Sequence, residues 1–258
     1  MQRRLSILHY LNIAACISLL IACTAQPPQQ PDQHPARPTP ATEQKSIALL
    51  GATGMVGDFL LREALSRGHK VTALARSPVK LQIFEDQITI IQGDARDPIV
   101  IAALLDGADA VISALGPVKA DGDAARFIST TVTRNIVQEM ERTGISDYLL
   151  VSGAGVVLPD DKRNLLGWWI RKLAQIGLRD TLEDKQAEYD VLAASSVDWV
   201  LVRCPLIDPD PVQGAPMTSL LTPPAFRLRA GELARFILDQ IETGDYHHQG
   251  PFLGSQSH

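Results

Sequence analysis

Three glycines and one arginine carry the most legible chemistry in this chain. Residues 46–57 read SIALLGATGMVG, an apolar run that stops at Gly51, with Gly54 and Gly57 following at equal spacing before a helical pattern begins. A dinucleotide needs this arrangement. Gly51 lets the chain turn sharply, Gly54 lets the backbone approach a pyrophosphate, and Gly57 lets the next helix pack close to the strand. Thr53, Met55 and Val56 complete the loop. The unpaired N–H groups and dipole of the helix start favour an anion there. A bare structural turn is the competing reading. The loop lacks the Lys-Ser/Thr pair of a Walker loop, which argues against a nucleoside triphosphate. NAD-selective sites carry an acid for the ribose hydroxyls about 20 residues after the glycines. Here residues 71–80, VTALARSPVK, contain no acid and offer Arg76 and Ser77, with Lys80 just beyond. Arg76 can fork onto a 2′-phosphate while Ser77 donates its hydroxyl, so the expected cofactor is NADP(H) in preference to NAD. A solvated loop arginine is the alternative.

Strands and helices must hold these residues in place. Short runs rich in Val, Ile, Leu and Ala predict strands at 46–50, 70–75, 88–91, 108–114, 147–152 and 197–203. Runs that are apolar throughout belong to a parallel sheet covered on both faces. Helical patterns fit 57–67, 98–105, 123–143, 181–194 and 230–241, several of them closed by a glycine such as Gly68, Gly107 or Gly144. With right-handed crossovers this order gives an α/β, Rossmann-like, doubly wound parallel sheet flanked by helices in a single domain. Its ligand crevice lies beyond the carboxyl ends of the strands.

The residues before that domain read differently. In residues 1–23, Arg3 and Arg4 precede an apolar stretch, and small residues lead up to Cys23, which is the form of an export signal. Leu20-Ile21-Ala22-Cys23 resembles a bacterial lipobox, in which the cysteine is acylated and becomes the mature N-terminus. An uncleaved leader or a misassigned start would look alike. Residues 24–45, rich in Pro and Gln, cannot bury enough apolar surface to fold and are expected to be a semi-extended linker. The expected location is a membrane-associated lipoprotein, periplasmic if exported and cytoplasmic if the leader is no signal. Export would separate the domain from the cytoplasmic pool of nicotinamide cofactors. Residues 46–258 are enough for one well-buried domain. A net charge of −5 without a basic cluster argues against nucleic acid. Cys204 is the domain's sole cysteine, so no disulfide forms within it, and His247 and His248 have no third ligand at zinc spacing, so no metal is expected.

Several segments share a likeness. GATGMVG at 51–57, Arg76 at a strand end, QGDARDP at 92–98, SALGP at 113–117, LLVSGAG at 149–155 and VDWVLVRCP at 197–205 resemble the atypical branch of the short-chain dehydrogenase/reductase superfamily. Within that branch the chain is similar to the NAD(P)H-binding group of flavin reductase/biliverdin reductase B-like and NmrA-like proteins. The likeness covers 47–253 and includes RAGELARFILDQI at 229–241. It implies that Asp94 contacts the adenine amino group and that Ala114, Leu115 and Gly116 flank the ribose and pyrophosphate. It further implies that Ser152 is the active-site serine and that Pro205 and Leu206 lie near the nicotinamide carboxamide. Local readings compete: Asp94 capping a turn, Gly116-Pro117 as punctuation, and Ser152 satisfying buried backbone.

The superfamily's proton donor is Tyr-x-x-x-Lys, where lysine lowers the tyrosine pKa. Here Thr181 stands in place of tyrosine and Lys185 is retained, with Tyr189 one turn further on. Ser152 and Lys185 are therefore the expected catalytic residues. The missing phenol disfavours ordinary alcohol dehydrogenation, whereas quinones and flavins tolerate its absence. Trp168 and Trp169 lie in 164–180, where superfamily inserts cover the substrate. One indole would stack on a planar acceptor, or the pair would pack in the core or on a membrane surface. The proline-rich segment 208–226 reads as a substrate-side loop. The resulting expectation is an NADP(H)-dependent oxidoreductase passing hydride to a small planar acceptor such as a quinone or flavin. The alternative is a non-catalytic NADP(H)-binding sensor.

Overall fold

In the computed structural model, described residues are 43–116, 122, 126–162, 165, 168–169, 171–172 and 178–256. The expected leader and all but the last three residues of the expected linker lie outside them. Within them, the apolar runs form a parallel array: β1 (Ser46–Leu50), β2 (Lys70–Ala75), β3 (Thr89–Gln92), β4 (Ala110–Ser113), β5 (Asp147–Gly153) and β6 (Asp198–Cys204). Their spatial order is β3-β2-β1-β4-β5-β6. The array continues through β10 (Phe252–Gly254), parallel to β6, to β8 (Met217–Ser219), antiparallel to β10. β7 (Leu206–Asp208) and β9 (Arg227–Arg229) pair apart from the main sheet as a short parallel ribbon. Bonding to the sheet begins just before β1, where Gln44 Nε2 donates to Gly68 O at 2.6 Å and Lys45 N to His69 Nδ1 at 3.2 Å.

Helices cover both faces, as runs apolar on both sides require. α1 (Met55–Ser66) and α5 (Ala230–Thr243) pack together on one face, while α3 (Ile128–Thr143) packs with α2 (Pro98–Leu105) and α4 (Arg179–Ala193) on the other. β1 shows why one strand can serve both layers: Ile47 and Leu49 enter the core beneath α1 and α5, and Ala48 and Leu50 enter the one beneath α2 and α3. Each such leucine or isoleucine contributes roughly 1.5–3 kcal/mol by leaving water.

The six expected strands stand within two residues of their expected bounds. The third expected helix starts at Ile128, after Phe127 in the left-handed region at φ 56°, and ends at Gly144 with φ 80°. Asp97 caps α2 by accepting from Ile99 N at 2.9 Å, with Pro98 in the first turn. The chain runs outward from β1 to β3 and then returns to β4 on β1's other side, so the order in which parallel strands are added reverses between β1 and β4. A crevice opens above that point.

Candidate functional site

The glycine loop lies at this reversal. Gly51 adopts φ 83°, and a Cβ there would lie 2.7 Å from Ala114 O, so the loops leaving β1 and β4 touch. A Cβ on Gly57 would lie 2.0 Å from Gly51 O, which is how closely α1 returns onto the turn. Gly54 occupies the N-cap of α1 in an extended conformation, and no side chain caps the helix. Its first-turn N–H groups and dipole therefore remain suited to an anion. A cleft of about 320 Å³ opens here, lined by Ala52, Thr53, Gly54, Met55, Asp58, Lys80 and Leu81. Lys80 Nζ donates to Thr53 O at 3.3 Å, which sets a cation at the loop. A cradle that any Cβ would fill, beside an uncapped helix start and a lysine, fits a pyrophosphate.

Arg76 and Ser77 follow β2, exposed, with Ser77 leading into a 3₁₀ turn at Pro78–Phe84. Asp94, just past β3, is gripped by Arg96: its carboxylate accepts from the Arg96 backbone N and Nε, both at 2.9 Å, and from Nη2 at 2.5 Å. The Arg96 hydrogen bond, helped by the charge of nearby Arg76, lowers the carboxyl to about pKa 2. Asp94 thus closes the turn ahead of α2 as an ionised acceptor.

A buried polar chain lies under the ends of β4 and β5. Lys185 donates to Glu188 Oε2 at 2.9 Å, to Leu115 O at 3.1 Å and to Val151 O at 3.4 Å. An ammonium has three protons, and here three acceptors take them. The other Glu188 oxygen accepts from Thr133 Oγ1 at 3.1 Å, and that hydroxyl lies 3.0 Å from Tyr148 Oη. Burial pushes the Glu188 carboxyl and the Tyr148 phenol above their ordinary values, and Lys185 opposes this at Glu188. Beside it, Asp184 accepts from Ser129 N and Thr130 N, both at 2.9 Å, and so caps α3 from a different helix. Sequence reasoning missed Asp184 and Glu188. Their signal was an acid directly before, and another one turn after, a lysine on a helix whose opposite face is exposed.

Ser152, near the end of β5, has a buried hydroxyl oxygen without a hydrogen-bond partner among the described residues. It does not satisfy buried backbone. An unmet buried hydroxyl costs about 1–3 kcal/mol. Ala114 and Gly116 border Leu115 on the loop that Lys185 holds. Pro205, half-buried, ends β6, and Leu206 beyond it is exposed. Thr181 lies half-buried in the first turn of α4. Tyr189 packs edge-on against Trp199, near the start of β6 and therefore at the other end of the sheet, with centroids 5.8 Å apart.

The carboxyl end of β6 is drawn together by Arg203, which sequence reasoning passed over as part of an apolar strand. Fully buried, it bonds both oxygens of Asp161 (2.6 and 2.8 Å), Gly250 O (2.7 Å) and Val156 O (3.3 Å), and lies over the Phe252 ring at 3.6 Å. Trp168 and Trp169 are exposed and meet edge-to-face at 4.9 Å, so neither indole is core packing. A second cleft, of about 440 Å³, is lined by Arg171, Arg179, Leu182, Glu183 and Gln186 at the start of α4.

Comparison with known proteins follows this geometry. The family model described as NAD(P)H-binding matches residues 51–243, from the first glycine to the end of α5. Over 126 residues the chain is 29% identical to a 3β-hydroxysteroid dehydrogenase/Δ5→4-isomerase of Mycobacterium tuberculosis. That match spans 45% of this chain and 34% of the mycobacterial protein. An anaerobilin reductase from Escherichia coli superposes with TM-score 0.70 at 21% identity, over 83% of this chain and 98% of that one. A short-chain dehydrogenase/reductase from Veillonella parvula, in complex with NADP, superposes with TM-score 0.70 at 18% identity, over 83% and 96% respectively. At these identities the two structures establish a shared fold.

Proposed function

Because this chain belongs to the NAD(P)H-binding family, we propose that it is an NADP(H)-dependent oxidoreductase of the atypical short-chain dehydrogenase/reductase type that passes hydride to a small planar acceptor such as a quinone or flavin. The observation that carries this reading is the unmet Ser152 hydroxyl, buried at the carboxyl edge of the sheet that also bears the uncapped glycine loop. When bound, NADPH supplies the hydride. The protein's own residues orient and exclude. The backbone of 51–57 takes the pyrophosphate with Lys80 beside it, Arg76 and Ser77 take the 2′-phosphate, and Lys185 fixes the loop at Leu115 against β5. Ser152 donates its hydroxyl to the acceptor's polar atom, and Pro205 and Leu206 border the ring. With threonine at 181, a quinone or flavin suits the site because such an acceptor can draw its proton from solvent.

NADPH consumption across a panel of quinones and flavins tests this. Turnover is expected on at least one acceptor. Arg76→Ala should weaken NADPH binding about 10- to 100-fold and leave NADH unchanged, as expected for loss of a charge-assisted contact. One observation favours the sensor reading: all three Lys185 protons already have acceptors within the protein. Tight NADPH binding with no turnover on any acceptor would decide for it.

For residues 1–23 we propose export and acylation at Cys23, on the strength of the paired arginines, the apolar stretch and the lipobox. No helix among the described residues is long and apolar enough to cross a membrane, so attachment would rest on that leader. Mass determination of the mature N-terminus tests the proposal, and an unprocessed Met1 overturns it. Protease access in intact cells tells which side the domain faces.

A further inference from the structure

The end of the sheet opposite the crevice gathers a second set of ligating groups. Asp147 opens β5 and Asp198 opens β6, and the two are direct partners across this parallel pair. Two carboxylates thus stand side by side and repel each other unless a cation joins them. The turn after α5 supplies two imidazoles. His247 Nε2 lies 3.5 Å from Asp147 Oδ1, and His248 Nε2 lies 3.0 Å from Asp198 Oδ1. Ligand atoms of Asp147, Asp198 and His247 all fall within 4.8 Å of one another. Neighbouring ligand atoms of a tetrahedral zinc lie about 3.4 Å apart at ordinary bond lengths, so these partly exposed side chains close the set by rotating inward by about an ångström.

Packing holds the rings in place. His248 sits in the left-handed region at φ 58°, which few residues other than glycine adopt. Its N–H donates to Trp199 O at 2.8 Å, and its ring meets the Trp199 indole edge-on, with centroids 6.0 Å apart. Behind His247, Gly244 lies so near that a Cβ there would come within 2.9 Å of the imidazole. Lys45 Nζ is 4.0 Å from the other oxygen of Asp147, which leaves Oδ1 facing His247.

We propose that Asp147, Asp198, His247 and His248 bind a borderline divalent transition-metal ion, zinc foremost, which staples the turn between α5 and β10 to the amino-terminal edge of β5 and β6. Two imidazoles with two carboxylates suit zinc better than the oxygen-seeking magnesium or calcium, and the carboxylates balance its charge. The site lies across the sheet from the glycine loop, so its role is structural. Spacing along the chain hid it, because the ligands come from three segments far apart in sequence.

The test uses the untagged full chain, stripped with a chelator, then titrated with zinc by calorimetry and melted with zinc, magnesium or calcium. One zinc per chain and a raised melting temperature with zinc alone are expected. His247→Ala with His248→Ala should lower zinc affinity by at least about 10-fold, the lower bound for loss of a supporting partner, with the circular dichroism spectrum unchanged. Should that variant fail to fold, Asp198→Asn, which relieves the repulsion, should fold and lose the same affinity. Absent zinc binding, an equal response to magnesium, or undiminished affinity in the folded variants overturns the proposal.

Discussion

Gly57 and Gly54 belong to one motif, yet the space around them differs enough to separate folding from binding. A methyl at Gly57 would fall 2.0 Å from a backbone oxygen that has nowhere to go, whereas at Gly54 it would meet Gly51 O at 3.2 Å. Gly57→Ala should therefore destabilise the fold by about 1–3 kcal/mol or more, as overpacking does. Gly54→Ala should melt nearly as the parent does but bind NADPH more weakly. Thermal melts and fluorescence titration of both variants check the pair. Asp94 carries a pH signature. Its pKa of about 2 is depressed by Arg96, so its contribution is complete above the ordinary value of about 3.9 and is lost as pH falls toward 2. Melting temperatures measured down this acid limb should fall less steeply for Asp94→Asn. The glycine motif was legible in the sequence because its determinants are local, a turn and a helix start; Asp94 was legible as a position, while its grip by Arg96 came only with the structure. Ser152 was legible as a position. Its lack of a partner was not, because that depends on everything around it.

Among the elements, α4 shows how a helix can carry a likeness and use it differently. Its Lys185 was visible, but its fixation by Glu188, Leu115 O and Val151 O was not, since two of those acceptors are backbone atoms distant in sequence, one on the loop after β4 and one in β5. Lys185→Met should leave the Glu188 carboxylate buried without its cation and cost about 3–5 kcal/mol. Adding Glu188→Leu should recover much of that loss. Urea unfolding of the single and double variants would show it, and equal stability of the two would count against a buried charge pair. The edge strand β3 showed only its Ile90-Ile91 pair between polar ends, but most of the six parallel strands were readable because strands buried on both faces are near-continuously apolar. β7 to β10 were not. Each is three residues long, and their pairing is decided by tertiary contacts, among them the Arg203 grip on Asp161, Gly250 and Val156.

For the molecule as a whole, Cys204 reports on opening. It is buried and free, and burial pushes its thiol far above the ordinary range. Alkylation of the Cys204 peptide, followed by mass spectrometry, should be negligible in the native protein and rapid in denaturant. Native labelling as fast as that of an exposed thiol would mean that the β6 end opens readily. β10 sets a different condition on the whole. It lies inside the sheet between β6 and β8, with Phe252 and Leu253 inaccessible and Arg203 N bonded to Pro251 O at 2.8 Å. On a ribosome, β1 to β6 emerge well before it does, and until residue 254 clears the exit tunnel β6 presents a raw edge and an Arg203 lacking its Gly250 and Pro251 acceptors. The nascent protein must wait in that unfinished state, within reach of chaperones and of its neighbours on the same messenger.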